Sequence, residues 1–288
     1  MTMNLDAVRA RHFPVVDHVY SEADTIRYAL SLGVGLEPSN PEHLKYVYEQ
    51  WKDGLVALPT MASVLAYAGH WSRDPALDLT WKLILHGEQR IVLHRPVPVS
   101  GHVVSQTRIE SVQDKGATRG AVMEATRDIR DKATGEPIAT VTMVTFLRGD
   151  GGQGGFGEAR PPLDPVPTRA ADITCDFTTS PQAGLMYRLA GDVNPVHADP
   201  AVARDAGYPA PILHGLCTFG AATFNLMPFA CDGRPETITE MGVRFTAPVY
   251  PGETLRTEGW KHGNVVHFRT SVPERGVTVL DRGSMRLG

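Results

Sequence analysis

The chain has 288 residues, of which 42% are hydrophobic and 21% are charged, so it can bury a substantial core and is long enough for two ordinary domains. Its 28 Lys and Arg residues face 32 Asp and Glu residues, and a net charge of −4 argues against a general nucleic-acid-binding surface. With three cysteines, no apolar signal region and no apolar stretch of about 18 residues, the sequence predicts a cytoplasmic protein without disulfides or membrane spans.

The first half of the chain is predicted to contain two helices followed by four strands. A capping box formed by Ser21 and Asp24 opens a helix over 25–32, and the apolar run at 56–69 predicts a longer buried helix. Strand-forming runs follow at 83–97, 101–114, 120–131 and 138–147.

A stretch rich in glycine and proline, at 148–169, separates this half from the rest of the chain. It cannot hold a helix or a central strand, so we interpret it as a connector between domains at 1–147 and 170–288. Its glycines match a dinucleotide-binding fingerprint, but no helix can follow because two prolines come next. We therefore expect no dinucleotide site there.

The second half repeats the order of elements in the first. Ser180 and Pro181 begin a helix that Gly191 ends, and a long apolar helix is predicted at 212–229. A helix that is apolar nearly all round must be enclosed, for example by a twisted antiparallel sheet. The predicted fold is therefore an α+β double hot-dog, in which two antiparallel sheets each wrap around a long apolar helix and join through edge strands. The strand candidates of this half are 239–249, 254–262, 265–272 and 277–286.

A loop of the second half carries side chains suited to acid–base chemistry. Asp192, Asn194 and His197 lie within six residues of one another, and Pro195 keeps their segment from becoming a helix. Such a loop can aim a carboxylate, an amide and an imidazole at one water molecule. The same residue types also cap helices, as Asp199 is expected to do for the next short helix.

The long apolar helix of the second half begins directly behind this loop, at His214 and Gly215. The first N–H groups of a helix have no intrahelical acceptor, and Gly215 has no Cβ, so a developing oxyanion could be stabilised there. The first half has Leu58, Pro59 and Thr60 at the equivalent place and has no Asp-x-Asn-x-x-His pattern. We therefore expect one active site, in the second half.

The stretch at 187–220, which begins YRLAGDVNPVHADP, closely resembles the R-specific, type 2 enoyl-CoA hydratases. These are MaoC-like proteins and include the hydratase part of peroxisomal multifunctional enzymes. The resemblance covers nearly the whole chain, including 44–49, 85–89 and 244–252. It implies a double hot-dog fold, often assembled as a homodimer, and reversible hydration of trans-2-enoyl-CoA to (3R)-3-hydroxyacyl-CoA, as in β-oxidation. No cofactor is expected besides the CoA of the substrate.

The resemblance also implies roles for individual residues. Asp192 and His197 would hold one water molecule and share the acid and base roles. Asn194 would orient this pair or the thioester, and the Gly215 N–H would bind the thioester oxygen. Contacts to the acyl-CoA are expected from His86, Gly87, Lys115, Val193, Pro195, Val196 and Arg244.

Several alternatives remain open at this point. His86 could be an ordinary strand residue, Lys115 a solvated turn lysine and Arg244 part of a surface ion pair. A non-catalytic acyl-CoA-binding hot-dog subunit and an acyl-CoA thioesterase are the other candidate functions, because a fold alone does not decide function. The eleven histidines show no spacing typical of a zinc site, so no metal is expected. The acyl group is left open and could be a straight-chain fatty, branched or steroid side-chain group. The pathway is also left open between β-oxidation, polyhydroxyalkanoate supply and sterol breakdown.

Overall fold

The computed structural model describes residues 3–288, and an antiparallel sheet of ten strands is its framework. The first five strands are β1 (Val16–Tyr20), β2 (Ile84–Leu93), β3 (Gly101–Asp114), β4 (Ala121–Asp131) and β5 (Pro137–Leu147). The second half supplies β6 (Ile173–Thr178), β7 (Ile238–Phe245), β8 (Thr254–His262), β9 (Val265–Val272) and β10 (Val277–Leu287).

The two halves join through one pair of strands. Across the sheet the order is β1-β3-β4-β5-β2-β7-β10-β9-β8-β6, so β2 and β7 form the junction. They pair in antiparallel fashion, with Ile91 opposite Met241. The predicted joining of the halves through edge strands is confirmed, and the α+β class is confirmed with it.

Six α-helices accompany the sheet in the described part of the chain: α1 (Leu5–Arg9), α2 (Glu22–Ser31), α3 (Pro41–Val47), α4 (Ala183–Tyr187), α5 (Pro200–Asp205) and α6 (Gly215–Cys231). The long helix α6 spans 17 residues and lies in the core, where Phe219 and Leu226 have no exposed surface. The capping box predicted at Ser21 and Asp24 is present at the start of α2. None of the helices within 3–288 is long and apolar enough to cross a membrane.

The first half lacks the long helix that its apolar run predicts. Only a short 3-10 helix, Pro59–Ser63, forms within 56–69, and Ala66 has a left-handed φ of 48°. A left-handed residue interrupts a right-handed helix, so the apolar run bends instead of continuing. The prediction of a helix at 56–69 is therefore wrong. The segment 57–66 is nevertheless buried throughout, and we call it the irregular segment.

One hydrophobic core extends across both halves. It contains Leu32 and Leu65 from the first half together with Phe219 and Leu226 from α6. Leu32, directly after α2, packs closely on α6, since a Cβ added at Gly220 would lie 2.7 Å from a δ carbon of Leu32. A second, smaller core lies within the first half.

The connector at 148–169 is fixed to the end of β3. The Asp114 carboxylate accepts hydrogen bonds from the N–H groups of Gly152 (2.8 Å) and Gly154 (2.7 Å). A Cβ added at Gly155 would lie 2.2 Å from a backbone oxygen of β3. These glycines therefore allow the connector to pack closely against the strand.

Candidate active site

Two short turns shape the loop that carries the predicted acid–base residues. The first, a 3-10 turn at Arg188–Ala190, follows α4 and ends at Gly191, whose φ of 120° favours glycine. The second is the 3-10 turn Pro195–His197, in which the Asn194 side chain accepts a hydrogen bond from the Val196 N–H. The segment therefore turns twice and does not extend as a helix.

The structure brings Asp192 and His197 together, as the sequence predicts, and adds His214. Ligand atoms of these three side chains all lie within 4.8 Å of one another. The rings of His197 and His214 stack, with centroids 3.7 Å apart and planes inclined by 27°. His70 borders the cluster, with Nε2 3.9 Å from Asp192 Oδ1.

Hydrogen bonds to backbone carbonyls fix the tautomers of both histidines. His197 Nδ1 donates to the Ile212 carbonyl at 2.8 Å, because a carbonyl oxygen can only accept. In the neutral ring, Nε2 of His197 therefore keeps its lone pair and can accept a proton. His214 Nε2 donates to the backbone carbonyl of Asp192 at 3.0 Å, which ties the start of α6 to the loop.

Burial keeps three histidines at this site, His197, His214 and His86, neutral. It lowers the pKa of His197 below its usual 6.5, although the nearby Asp192 charge acts in the opposite direction. Burial lowers the pKa of His214 to about 4, and the adjacent His197 adds to this effect. His86 is affected in the same way, and its pKa is also about 4. Near neutral pH, all three rings are therefore neutral, each with one protonated ring nitrogen and one that carries a lone pair.

The N-terminus of α6 is open at Gly215. No side chain caps this end of the helix, and Gly215 is half-buried, whereas the residues from Cys217 to Phe224 are buried. A Cβ added at Gly215 would lie 3.0 Å from the ring of Phe245. The glycine therefore makes room for an aromatic side chain and leaves an N–H without an intrahelical acceptor.

A cavity connects this site to the interior of the first half. It encloses about 670 Å³, including its open mouth, and Asp192 and Leu216 lie on its wall. The first half contributes the other walls, from the irregular segment, the turn after it and strands β2 to β5. Side chains of the first half that line it include Tyr67, Trp71, His86, Arg127 and Met143.

The two predicted contacts on β2 have different environments. His86 lines the cavity, its ring lies 4.7 Å from that of Phe245 between centroids, and its Nε2 has no partner among the described residues. Gly87 is a packing position, because a Cβ there would lie 2.4 Å from the Phe146 ring. Of this pair, only His86 is placed to meet a ligand.

Arg244 and Lys115 lie apart from the catalytic loop. Arg244 donates through Nε and Nη2 to Glu88 Oε1, at 3.0 and 2.6 Å. Its side chain therefore forms an ion pair, which was the alternative to a CoA contact. Lys115 is exposed in the turn between β3 and β4 and does not line the cavity. In the loop, Val193 is 56% exposed, and Pro195 and Val196 form the turn before His197.

The sequence reasoning missed the contributions of His214, Tyr67 and Arg127. His214 directly precedes Gly215, the predicted oxyanion donor, so its imidazole could have been recognised from the sequence as a further site residue. Tyr67 and Arg127 belong to distant parts of the first half and meet only through the tertiary fold. No local pattern in the sequence marks them.

Comparison with known proteins identifies both halves of the chain. The MaoC like domain matches residues 164–282, and the MFE-2 hydratase 2 N-terminal domain matches residues 18–149. "Enoyl-CoA hydratase 2, peroxisomal" of Arabidopsis thaliana is 35% identical over 296 aligned positions, which cover 96% of this chain and 93% of the relative.

Solved structures show the same fold. A MaoC-like dehydratase from Phytophthora capsici is 32% identical, covers 99% of both chains and has a TM-score of 0.86. A Mycobacterium tuberculosis protein with a double hotdog fold is 17% identical, with a TM-score of 0.56 over 96% of this chain and 97% of that one. The predicted double hot-dog fold is confirmed. The chain belongs to the family of MaoC-like, type 2 enoyl-CoA hydratases.

Proposed function

We propose that the protein hydrates trans-2-enoyl-CoA reversibly to (3R)-3-hydroxyacyl-CoA, using Asp192 and His197 to activate one water molecule. Family membership makes the protein a hydro-lyase and supports enoyl-CoA as its substrate class. The observation that carries the proposal is the convergence of a carboxylate and a neutral imidazole within 4.8 Å, beside a cavity and an uncapped helix N-terminus.

In the proposed reaction, His197 is the base. Its Nε2 lone pair takes one proton from the water, while the Asp192 carboxylate accepts a hydrogen bond from the other water hydrogen. The hydroxide adds to C3 of the enoyl group, and the electron pair of the double bond moves towards the thioester. The imidazolium of His197 then returns its proton to C2, so the product gains one water and both side chains are regenerated.

The thioester oxygen gains negative charge during this reaction and needs a donor. The N–H of Gly215 is the proposed donor, because it lies at the first turn of α6 without an intrahelical acceptor. The positive end of the helix dipole adds to this stabilisation. Asn194 contributes indirectly, since its side chain caps the turn that carries His197.

The proposed R stereochemistry is supported by the likeness of residues 187–220 to the R-specific hydratases. Both proton transfers are assigned to one loop, so water and proton would be delivered to the same face of the double bond. That face is set by the way the cavity holds the acyl chain.

The assembly and location complete the proposal. We expect a homodimer, which would cover the exposed Val19 (68%) on the outer strand β1, next to the exposed Val15 (60%). Light scattering of the purified protein tests the dimer, and a single-chain mass would contradict it.

We expect a cytoplasmic protein, because three unpaired cysteines suit a reducing compartment.

Crotonyl-CoA tests the reaction directly. The hydratase removes the absorbance of the enoyl thioester and releases no free thiol, and chiral analysis of the product gives the R form. Release of thiol to a thiol reagent would instead identify a thioesterase. Binding without any change in absorbance would identify a non-catalytic acyl-CoA-binding subunit.

A further inference from the structure

An arginine without a carboxylate partner lies inside the cavity that adjoins the catalytic loop. Arg127 belongs to β4 and is only 6% exposed. Its Nη2 donates to the carbonyls of Ala62 (3.2 Å) and Ser63 (2.7 Å), and neither Nε nor Nη1 has a hydrogen-bond partner among residues 3–288. The guanidinium also faces the ring of Tyr67, 5.4 Å from its centroid.

Such a group is costly to bury. A charged side chain taken out of water is normally compensated by an opposite charge, because neutral hydrogen bonds offset only part of the lost hydration. Burial lowers the pKa of Arg127 to about 10, so the guanidinium still carries its charge near neutral pH. No carboxylate within the described residues lies within 4.0 Å of it.

Arg127 and the catalytic carboxylate line the same cavity. Asp192 comes from the second half, whereas Arg127, Thr107 and Gln89 come from the strands of the first half. The Gln89 amide nitrogen already donates to the Thr142 carbonyl at 3.2 Å. Ser63 Oγ and His86 Nε2 also lack partners on this wall, but of these unpartnered groups only the guanidinium carries a positive charge. A purely apolar acyl chain would leave this cation uncompensated.

We propose that the acyl group of the preferred substrate ends in a carboxylate, which Arg127 binds inside the cavity. This inference rests on the proposed hydratase function and narrows its substrate class to enoyl-CoA esters with an acidic terminus. A carboxylate would supply both the missing charge and acceptors for the free guanidinium nitrogens. The Tyr67 ring, packed against the guanidinium, would hold it in place for that contact.

The test compares two series of trans-2-enoyl-CoA esters of increasing length, one ending in a carboxylate and one in a methyl group. For the length that reaches Arg127, we expect kcat/KM of the wild-type enzyme to be about 10-fold or more higher for the carboxylate ester. An equal or higher kcat/KM for the methyl-ended substrate at every length would overturn the proposal. If neither series is hydrated, the hydratase function itself fails. Hydration of methyl-ended substrates alone overturns only the present inference.

The variant Arg127→Met separates ligand binding from a structural role. We expect it to lower kcat/KM for the carboxylate-ended substrate about 10- to 100-fold and to leave kcat/KM for the methyl-ended substrate nearly unchanged. Loss of the contacts to Ala62 and Ser63 alone would lower both values by the same factor, which would overturn the proposal. Met143→Leu, a neutral change in the same cavity, is the matched control and should keep the wild-type ratio.

A second variant covers the case in which Arg127→Met does not fold. Arg127→Lys keeps the positive charge but loses the planar fork that binds a carboxylate through two hydrogen bonds. It should keep a reduced preference for the carboxylate ester. If the Lys variant hydrates the methyl-ended substrate as well as or better than the carboxylate-ended one, charge has no role at this position.

Discussion

At the scale of single residues, the proposed chemistry depends on which nitrogen of His197 carries a proton. The Ile212 carbonyl holds the hydrogen on Nδ1, at 2.8 Å, and thereby leaves Nε2 as the basic atom. His214 is tied to the same loop through the backbone carbonyl of Asp192. A carbonyl and a second histidine therefore orient the two groups that activate the water.

The pH dependence of activity follows from the burial of His197. Burial lowers the pKa of this ring below 6.5, and the reaction needs the neutral form, so activity is lost only as pH falls through the lowered value. In a profile of kcat/KM against pH, we expect the acid limb to have its midpoint below 6.5. A midpoint at or above 6.5 would show that a different group, or a solvent-exposed histidine, controls the reaction.

His214 is predicted to be a positioning residue. In His214→Phe the ring remains, but the N–H that holds the Asp192 carbonyl is lost, so kcat should fall about 10-fold while KM changes little. His262→Phe, at an exposed position at the end of β8, is the control. A rise in KM with unchanged kcat would assign His214 to substrate binding instead.

Part of the site could be predicted from the sequence because it is local. Asp192, Asn194 and His197 are separated by a few residues, and Gly215 follows at the start of a recognisable apolar helix. Arg127 could not be found in this way, since it reaches the cavity only after β4 has paired with its neighbours. Lys115 and Arg244 are typical phosphate-binding residue types, but they lie in an exposed turn and an ion pair.

At the scale of secondary-structure elements, the strands were predicted better than the helices. β3, β8 and β9 match the predicted bounds, because alternating apolar and polar residues with turns between them specify half-buried strands. The short strands β1 and β6 were missed. The irregular segment was predicted as a helix because a buried apolar run has the same composition whether or not it is helical.

The connector offers a test at the element scale. Gly155→Ala would place Cβ 2.2 Å from the Val112 carbonyl and should detach the connector from β3. We expect the free energy of unfolding in urea to fall by about 1–3 kcal/mol. Gly101→Ala is the matched control, because its Cβ would meet Tyr20 at an ordinary 3.5 Å. Equal stability of the two variants would show that the connector is not held in place by this contact.

At the scale of the whole molecule, the two halves share both a sheet and a core. β2 and β7 join the sheet, and the main hydrophobic cluster contains side chains from both halves. The cavity has the same construction, with Asp192 from one half and Arg127 from the other. A half on its own would therefore lack part of its core and part of its cavity.

This shared construction predicts cooperative unfolding. Calorimetry should give one transition, in which both halves unfold together, because the main core is built from side chains of both halves. Fluorescence and circular dichroism should report the same midpoint. Two separated transitions would contradict the account and would assign an independent core to each half.

The central claim is that Asp192 and His197 activate a single water molecule, and hydration of crotonyl-CoA by Asp192→Asn, His197→Gln and the double variant tests it most directly. Because the two side chains act on one water, each single change should remove most of kcat, and the double variant should be about as slow as the slower single one. The circular dichroism of each variant should match the wild type. Near-normal hydration by either folded single variant would contradict the claim.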